Sequence, residues 1–506
     1  MAVLEAERTS EEPGPPRTRF RRPLPRPSVD RPAPLPDDNR VAWFAAGFLG
    51  LLTLVSRLWE ISYPTDVLFD EAYYPPHAAE LLRWGYEYNR GYTFIVHPPL
   101  GKWLIASGQV VFGYDSVGWR FPSAVAGAVS VVVLARLGRR LTGSTVLGLL
   151  AGLLLALDGL SFTLGRIGLL DIFLQLFVVS GVACLVVDRD RVRERILGAL
   201  PVPVAGFRLG PRGWRIAAGV LFGCACAVKW SGIYFLAFFA VLSLFWDRSA
   251  WREAGVPRPT RTALRRGLPG AAWGLGAVPV LTYLASFTGW FLGETSQGRH
   301  WADENPETAF PFVPGVLRSW WHMHVEWFDF HSGLASPHPW ESKPWSWIVT
   351  GRPILLWNPQ GLTDDSGEQV VRYILMLGTP TLWFLFPVAL VWLGWRIAAR
   401  RDAVAVTVAV GIAAGWLTWF VNLERTMFIF YMAPVVPFFV LGVVLVLQDV
   451  IGRRSADRFR RQVGLAVVCL YAGLVAGTFA FFYPVLTGQE LTHAEWMTRM
   501  WFPSWF

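Results

Sequence analysis

Lysine is almost absent from this sequence: Lys102, Lys229 and Lys343 stand alone among 46 basic residues. Such an arginine preference points to a GC-rich genome. It also marks each lysine as a position where a compact ammonium is used in place of a guanidinium fork. Cysteine is scarce as well, with only Cys184, Cys224, Cys226 and Cys469. All four fall inside apolar runs, which excludes a disulfide framework outside the cell. Cys224-Ala-Cys226 lacks metal-ligand spacing and reads as helix packing. A cleavable leader is not expected, because the first apolar run starts late and is too long for a signal h-region. Acidic residues are outnumbered, 37 against 46, for a formal charge of +9. In a soluble chain that balance would suggest nucleic acid. Here most arginines sit in short loops between apolar runs, where membrane topology accounts for them. No repeat of solenoid period is present.

Apolar and aromatic residues are abundant, with 53% of the chain hydrophobic and 27 Trp. Runs of about 18–25 residues recur, each long enough to cross a bilayer. The fold class is therefore an all-α polytopic membrane protein. Residues 1–40, rich in Pro, Arg, Asp and Glu, read as a disordered basic tail. Eleven spans follow, at 41–59, 121–138, 145–163, 169–187, 214–229, 231–246, 270–292, 373–394, 402–421, 427–447 and 463–483. The fifth and sixth come from one long run, broken around Lys229-Trp230-Ser231-Gly232. Arginine fills one alternate set of loops: the N-terminal tail, Arg136 to Arg140, Arg189 to Arg195, Arg248 to Arg266, Arg396 to Arg401 and Arg453 to Arg461. The positive-inside rule makes that face cytoplasmic. Two large loops, 60–120 and 293–372, and the tail 485–506 then lie outside, so 41–506 reads as one transmembrane domain.

The residues suited to chemistry lie at the outer membrane edge. Phe69-Asp70-Glu71-Ala72-Tyr73-Tyr74 follows the first span, and two adjacent carboxylates there are costly unless solvated, paired or used. Next come His97-Pro98-Pro99-Leu100-Gly101-Lys102, Arg120-Phe121-Pro122-Ser123-Ala124 and Arg166-Ile167-Gly168-Leu169-Leu170-Asp171. Lys229 and the stretch His338-Pro339-Trp340-Glu341-Ser342-Lys343-Pro344-Trp345 follow, then Glu424-Arg425. Each has a plainer reading. Arg166 and Asp171 could be an ion pair at a helix start, Arg120 a membrane-edge anchor, and His97-Pro98-Pro99 a stiff turn. Taken jointly, carboxylates and cations gather on one face and stop at one leaflet. A channel or transporter would place polar groups near the midplane of several spans. The one-sided arrangement suits a lipid with a charged head and a water-side co-substrate. Cations would hold a phosphate, and a carboxylate would take the proton of an attacking hydroxyl.

These stretches, in this order, resemble the protein O-mannosyltransferase family of the glycosyltransferase C superfamily, in its actinobacterial form, from about residue 41 to the end. Loop 293–372 is too short for the three-repeat MIR domain of eukaryotic members. The resemblance implies a bundle of about eleven transmembrane helices with two large outer loops. It implies polyprenyl-phosphate mannose as donor and a Ser or Thr hydroxyl of an exported protein as acceptor, met at the secretion translocon, with inversion in a single displacement. By the same resemblance Asp70 is the general base, and Glu71 orients it or helps bind the acceptor. Arg120, Lys102, Lys229 and Arg425 would neutralise the leaving phosphate. His97, Arg166, Asp171, Glu341 and Lys343 match motif positions without a separable role. No cofactor is implied as required; the alternative is a divalent ion on Asp70 or Glu71 with a histidine, as some superfamily relatives use one. The implied location is a bacterial plasma membrane, with the active site outside. Rival readings are another polyprenyl-phosphate-sugar transferase acting on a lipid or glycan, and a transporter of lipid-linked sugar. The Trp-Trp-Asp signature of oligosaccharyltransferase catalytic subunits is replaced here by Trp320-Trp321-His322.

Overall fold

The computed structural model describes residues 35–88, 95–199, 209–307, 310–363, 367, 369–452 and 457–506. Most of the tail read as disordered, and Arg453 with Arg454, lie outside the described residues. The chain opens with α1 (Asn39–Leu58), a single 3-10 turn at Phe69–Ala72, α2 (Tyr74–Trp84) and α3 (Leu100–Phe112). Then come α4 (Ser116–Thr142), α5 (Thr145–Ala156), α6 (Gly159–Leu164), α7 (Asp171–Gly198), α8 (Gly213–Val228) and α9 (Gly232–Glu253). α10 (Pro259–Ala271) runs through a π turn at Ala272–Ala277 into α11 (Val278–Ser286) and α12 (Thr288–Leu292). The long loop carries α13 (Trp301–Glu304), α14 (Gly315–Gly333) and α15 (Pro344–Trp347). The last third holds α16 (Pro380–Trp383), α17 (Phe386–Arg400), α18 (Ala403–Trp416), α19 (Val436–Ile451), α20 (Arg458–Thr487) and α21 (His493–Met497). β1 (Ile354–Trp357), β2 (Val370–Arg372), β3 (Ile374–Met376) and β4 (Glu490–Thr492) form two antiparallel pairs, β1 with β3 and β2 with β4. The second pair pins the C-terminal end onto the long loop.

Helix starts follow local chemistry. The side chains of Asp115, Ser144, Asp158, Asp402 and Asp457 accept from the backbone N–H groups of Gly118, Leu147, Ser161, Val404 and Arg460. Each satisfies a first-turn donor that the helix itself leaves open. Among the described residues, eight helical stretches are long and apolar enough to cross a membrane: α1, α4, α7, α9, Pro259–Ser286, Pro380–Arg400, Ala403–Phe420 and α20. α5, α8 and α19 are apolar but shorter.

Three expected spans have different edges. Residues 145–163 are interrupted after Ala156, because Asp158 caps a new helix, α6. Residues 373–394 begin as β3, and the helix starts at Pro380. Residues 427–447 become helical only at Val436, after a 3-10 turn at Ile429–Met432. Pro434 and Pro437 cannot supply the N–H groups that a continuous helix through this stretch needs. Arg425 to Met432 is thereby left as loop at the end of the bundle.

α4 is the central helix, packed against α1, α3, α5 and α7. Gly108 of α3 rests on the Gly118 carbonyl of α4; a Cβ there would overlap that oxygen, so only glycine allows the close approach. At one end of the bundle arginines pair across helices: Arg140 with Asp190 (2.7 Å), Arg193 with Glu253 (2.8 Å) and Arg400 with Asp449 (3.0 Å). The Phe69–Ala72 turn, the Lys229 turn and the Arg425–Met432 loop lie at the opposite end.

Candidate active site

Asp70 and Glu71 are neighbours whose side chains go to different places. Phe69 takes a positive φ of 52°, and the short turn behind it separates the two carboxylates. Glu71 is only 1% exposed. Its Oε1 accepts from Arg120 Nε (2.8 Å) and the Gly168 N–H (2.8 Å). Its Oε2 accepts from Arg120 Nη2 (2.8 Å) and the Leu68 N–H (3.0 Å). The other Arg120 donors reach the carbonyls of Ile61 (3.2 Å), Pro64 (2.6 Å) and Asp66 (2.9 Å). All five N–H groups are spent and the side chain is fully buried. Arg166 grips the same outgoing chain, donating to the carbonyls of Arg57 (2.9 Å), Trp59 (2.6 Å) and Glu60 (3.2 Å). It makes no ion pair with Asp171, which pairs with Lys229 instead.

Asp70 is half-buried, and Tyr74 donates its hydroxyl hydrogen to Oδ2 at 3.1 Å. Burial pushes the carboxyl up to about 6, with Asp171 adding to the rise and Lys229 and the Tyr74 bond opposing it. A base with that affinity takes a proton readily near neutral pH and is still largely ionised there. Phe69 packs edge-on against Phe428 (5.6 Å), Phe430 (5.9 Å) and His338 (6.0 Å). One ring thus ties the Asp70 turn to two distant loops. Ser342 closes the contact between those loops, its N–H donating to the Met427 carbonyl at 2.8 Å. Glu341 beside it is half-buried.

Three cations on the neighbouring loops keep donors in reserve, and Lys229 among them acts directly on Asp70. Lys229, in extended backbone just past α8, reaches Asp171 Oδ2 at 2.7 Å. Its ammonium lies 5.2 Å from the Phe430 ring and 6.0 Å from that of Tyr431. The Tyr431 hydroxyl accepts from Arg425 Nη1 (2.9 Å). Arg425 also donates to the carbonyls of His331 (2.8 Å) and Thr426 (3.2 Å) and shares Nη2 with His331 Nδ1 (3.2 Å). Lys343 donates to the Arg425 carbonyl at 3.2 Å. Among the described contacts, each lysine uses one of three donors in a hydrogen bond, and Arg425 uses four of five. Lys343 and Arg425 are both half-buried.

His97 stacks on His331, with ring centroids 5.1 Å apart and planes 26° from parallel. Burial, reinforced by Lys229, holds its imidazole well below the usual range, so it is neutral. Lys102, 1% exposed, pairs with Glu87 and donates to the His97 carbonyl at 2.8 Å.

Two expected phosphate ligands, Arg120 and Lys102, meet protein partners here. Arg120 spends all five N–H groups on Glu71 and three carbonyls, and Lys102 spends two of three on Glu87 and one carbonyl. Arg120 is 0% exposed and Lys102 1%, against 7% for Lys229. Glu71 has both oxygens filled by protein donors and lies behind the turn that carries Asp70. Tyr74, His331 and Tyr431 belong to the cluster but had no role assigned from sequence. Tyr431 fell within an expected span, and the two prolines after it were the signal that this stretch is not helix. Among the described residues no three His, Cys, Asp or Glu side chains form a metal-binding group.

The protein is a polytopic helical bundle with a carboxylate and part-committed cations on the loops at one end, and its solved structural neighbours are membrane glycosyltransferases. Its fold matches that of a Saccharomyces cerevisiae protein O-mannosyltransferase complex bound to the sugar donor, with a TM-score of 0.70 and 15% identity, over 95% of this chain and 94% of that one. The apo oligosaccharyltransferase of Archaeoglobus fulgidus superposes with a TM-score of 0.50 at 13% identity, over 90% of this chain and 56% of the other. The family profile described as dolichyl-phosphate-mannose-protein mannosyltransferase matches residues 47–119 and 106–288. The profile for the C-terminal four TMM region of protein-O-mannosyltransferase matches 316–505. The polyprenol-phosphate-mannose–protein mannosyltransferase of Mycolicibacterium smegmatis is 41% identical over 497 residues, 95% of this chain and 96% of that protein. Its counterpart from Mycobacterium tuberculosis is 42% identical over 486 residues, 93% of each. The chain belongs to the protein O-mannosyltransferase family.

Proposed function

We propose that this protein transfers mannose from polyprenyl-phosphate mannose to Ser or Thr hydroxyls of exported proteins, with inversion, on the outer face of a bacterial plasma membrane. The observation that carries this reading is the pairing of a half-buried base, Asp70, with cations that keep N–H donors uncommitted. The donor set of Lys229, Lys343 and Arg425 suits a phosphate, and the mycobacterial relatives are named for such a donor. The acceptor oxygen attacks the anomeric carbon as the bond from that carbon to the phosphate oxygen breaks. The hydroxyl proton passes to Asp70 late, as the new C–O bond makes it acidic. The leaving polyprenyl phosphate gains negative charge, and the three cations stabilise it as it forms. Glu71 and Arg120 act behind the base, holding the turn that presents Asp70. Nothing in this sequence of bonds calls for a metal ion.

The eight long apolar helices, with α5, α8 and α19, give eleven crossings if each passes once. That odd number, with the arginine-paired end in the cytoplasm, puts the N-terminus inside and the site, the loops 60–120 and 293–372 and the tail 485–506 outside. In this arrangement 41–506 is one catalytic domain, 1–40 a cytoplasmic tail, and acceptors arrive as they leave the secretion translocon.

The test uses membranes containing this protein, radiolabelled polyprenyl-phosphate mannose and a Ser/Thr-Pro-rich peptide, for wild type and Asp70→Asn. Label enters the peptide with wild type only, while both bind donor. Equal transfer by both would remove Asp70 from the reaction. Donor binding without transfer by either would favour a different acceptor.

A further inference from the structure

α14 crosses the long loop with one side packed on the bundle. Val316, Trp320, Met323 and Trp327 repeat at helical spacing and pack on Ile95, Phe287 and Trp290. His324 and His331 continue that side, two turns apart, and each makes a directed bond. His324 Nδ1 donates to the Trp320 carbonyl (2.8 Å), which leaves Nε2 to accept from the Tyr283 hydroxyl (2.8 Å). That hydroxyl in turn accepts from Trp230 Nε1 (2.9 Å), next in sequence to Lys229. His331 Nε2 donates to the Val96 carbonyl (2.9 Å), which leaves Nδ1 to accept from Arg425 Nη2 (3.2 Å). The His331 carbonyl accepts from Arg425 Nε (2.8 Å), and its ring stacks on His97. One residue therefore holds the guanidinium by two atoms and fixes the chain next to His97 by a third.

We infer that His331 is a positioning residue for the donor phosphate. It sets the plane of Arg425 so that the remaining guanidinium N–H is aimed at the leaving group. The inference rests on the mannosyl-transfer reading of this site. Without the ring, Arg425 keeps its charge and its bonds to the His331 and Thr426 carbonyls and the Tyr431 hydroxyl, but Nη2, which carries the remaining N–H, loses its only anchor among the described contacts. Misplacement by about 1 Å is enough to cost ~10²-fold in rate.

A double-mutant cycle tests it. His331→Ala lowers kcat/KM for polyprenyl-phosphate mannose about 10²-fold in the wild-type background. In an Arg425→Ala background the same change costs less than about twofold, because the residue acts through that guanidinium. His331→Gln, which can still give an N–H to Val96 and accept from Arg425, recovers most of the loss. A merely structural histidine would cost the same in both backgrounds and would not be rescued, and that result overturns the assignment. His331→Leu, of similar volume and without polar atoms, runs the same cycle if the alanine variant does not fold. Asp70→Asn is the separate control. If it transfers mannose as well as wild type, the reading of the site fails. If it loses transfer while the cycle is additive, only the role of His331 fails.

Discussion

At the arginine-paired end of the bundle, Arg212 and Arg215 share Asp188 and Asp247. Arg212 Nη1 lies 2.7 Å from Asp247 Oδ2, and Arg215 reaches Asp247 at 3.2 Å and Asp188 at 3.3 Å. Two cations meet two anions across α7, α8 and α9, and little charge is left over. At the other end Lys229, Lys343 and Arg425 gather with Asp70, Asp171 and Tyr431, but much of their hydrogen-bonding capacity is unspent. Both ends bury charge. A closed network holds helices together, whereas an open one keeps capacity for a ligand that brings its own negative charge. Asp70 and Glu71 repeat the contrast within two residues: Glu71 has its oxygens filled by protein donors, and Asp70 has one hydroxyl.

Four tests at three places can break the contrast, taken from the largest expected effect down. Asp70→Asn removes the base and lowers transfer by about 10²–10⁴-fold while donor still binds, measured as label entering peptide. Arg120→Ala strands the Glu71 carboxylate in a buried site. It should cost about 3–5 kcal/mol of stability, read by thermal unfolding in detergent, and Glu71→Gln with Arg120→Met should recover part of it. A stable Arg120→Ala protein with only a raised donor KM would return Arg120 to the phosphate.

The pH profile sharpens the role of Asp70. The group must be ionised to accept a proton, and burial raises its affinity to about 6. Below that value log(kcat/KM) should fall about one unit per pH unit, and above it the profile should level off. A profile flat through pH 6 would exclude Asp70 as the titrating base. The smallest effect belongs to the closed end. Arg212→Gln should lower the unfolding temperature yet leave turnover per folded molecule unchanged. A tenfold rate loss there would show that the two ends are coupled.

Much of the architecture was legible in hydropathy. The long apolar runs became helices near their expected limits, and the break at Lys229-Trp230-Ser231-Gly232 separates α8 from α9. The misplaced edges came from local features that hydropathy averages away: a capping Asp158, a strand at Ile374–Met376 and prolines at 434 and 437. The candidate site was legible as a set of stretches but not as a set of roles. Lys229 acts on Asp70, and Lys343 and Arg425 meet each other on the neighbouring loops. Arg120 carries the same charge in equally motif-like surroundings, yet it spends all five N–H groups within the protein, whereas Lys229 spends one of three. Charge and spacing along the chain do not distinguish a cation that binds a ligand from one already bound.

Apolar run length, arginine placement and the order of short polar motifs are properties of the chain, and they fix the helical class, the family and the end of the bundle where polar groups collect. Which cation is free depends on distant partners. Arg120 meets Glu71 from 49 residues away, Lys229 meets Asp171 from 58, and Arg425 meets His331 from 94. Those meetings exist only once the helices have packed. Removing charges from water is so costly that the packed geometry, more than composition, settles which of them find partners inside the protein and which keep a donor for substrate.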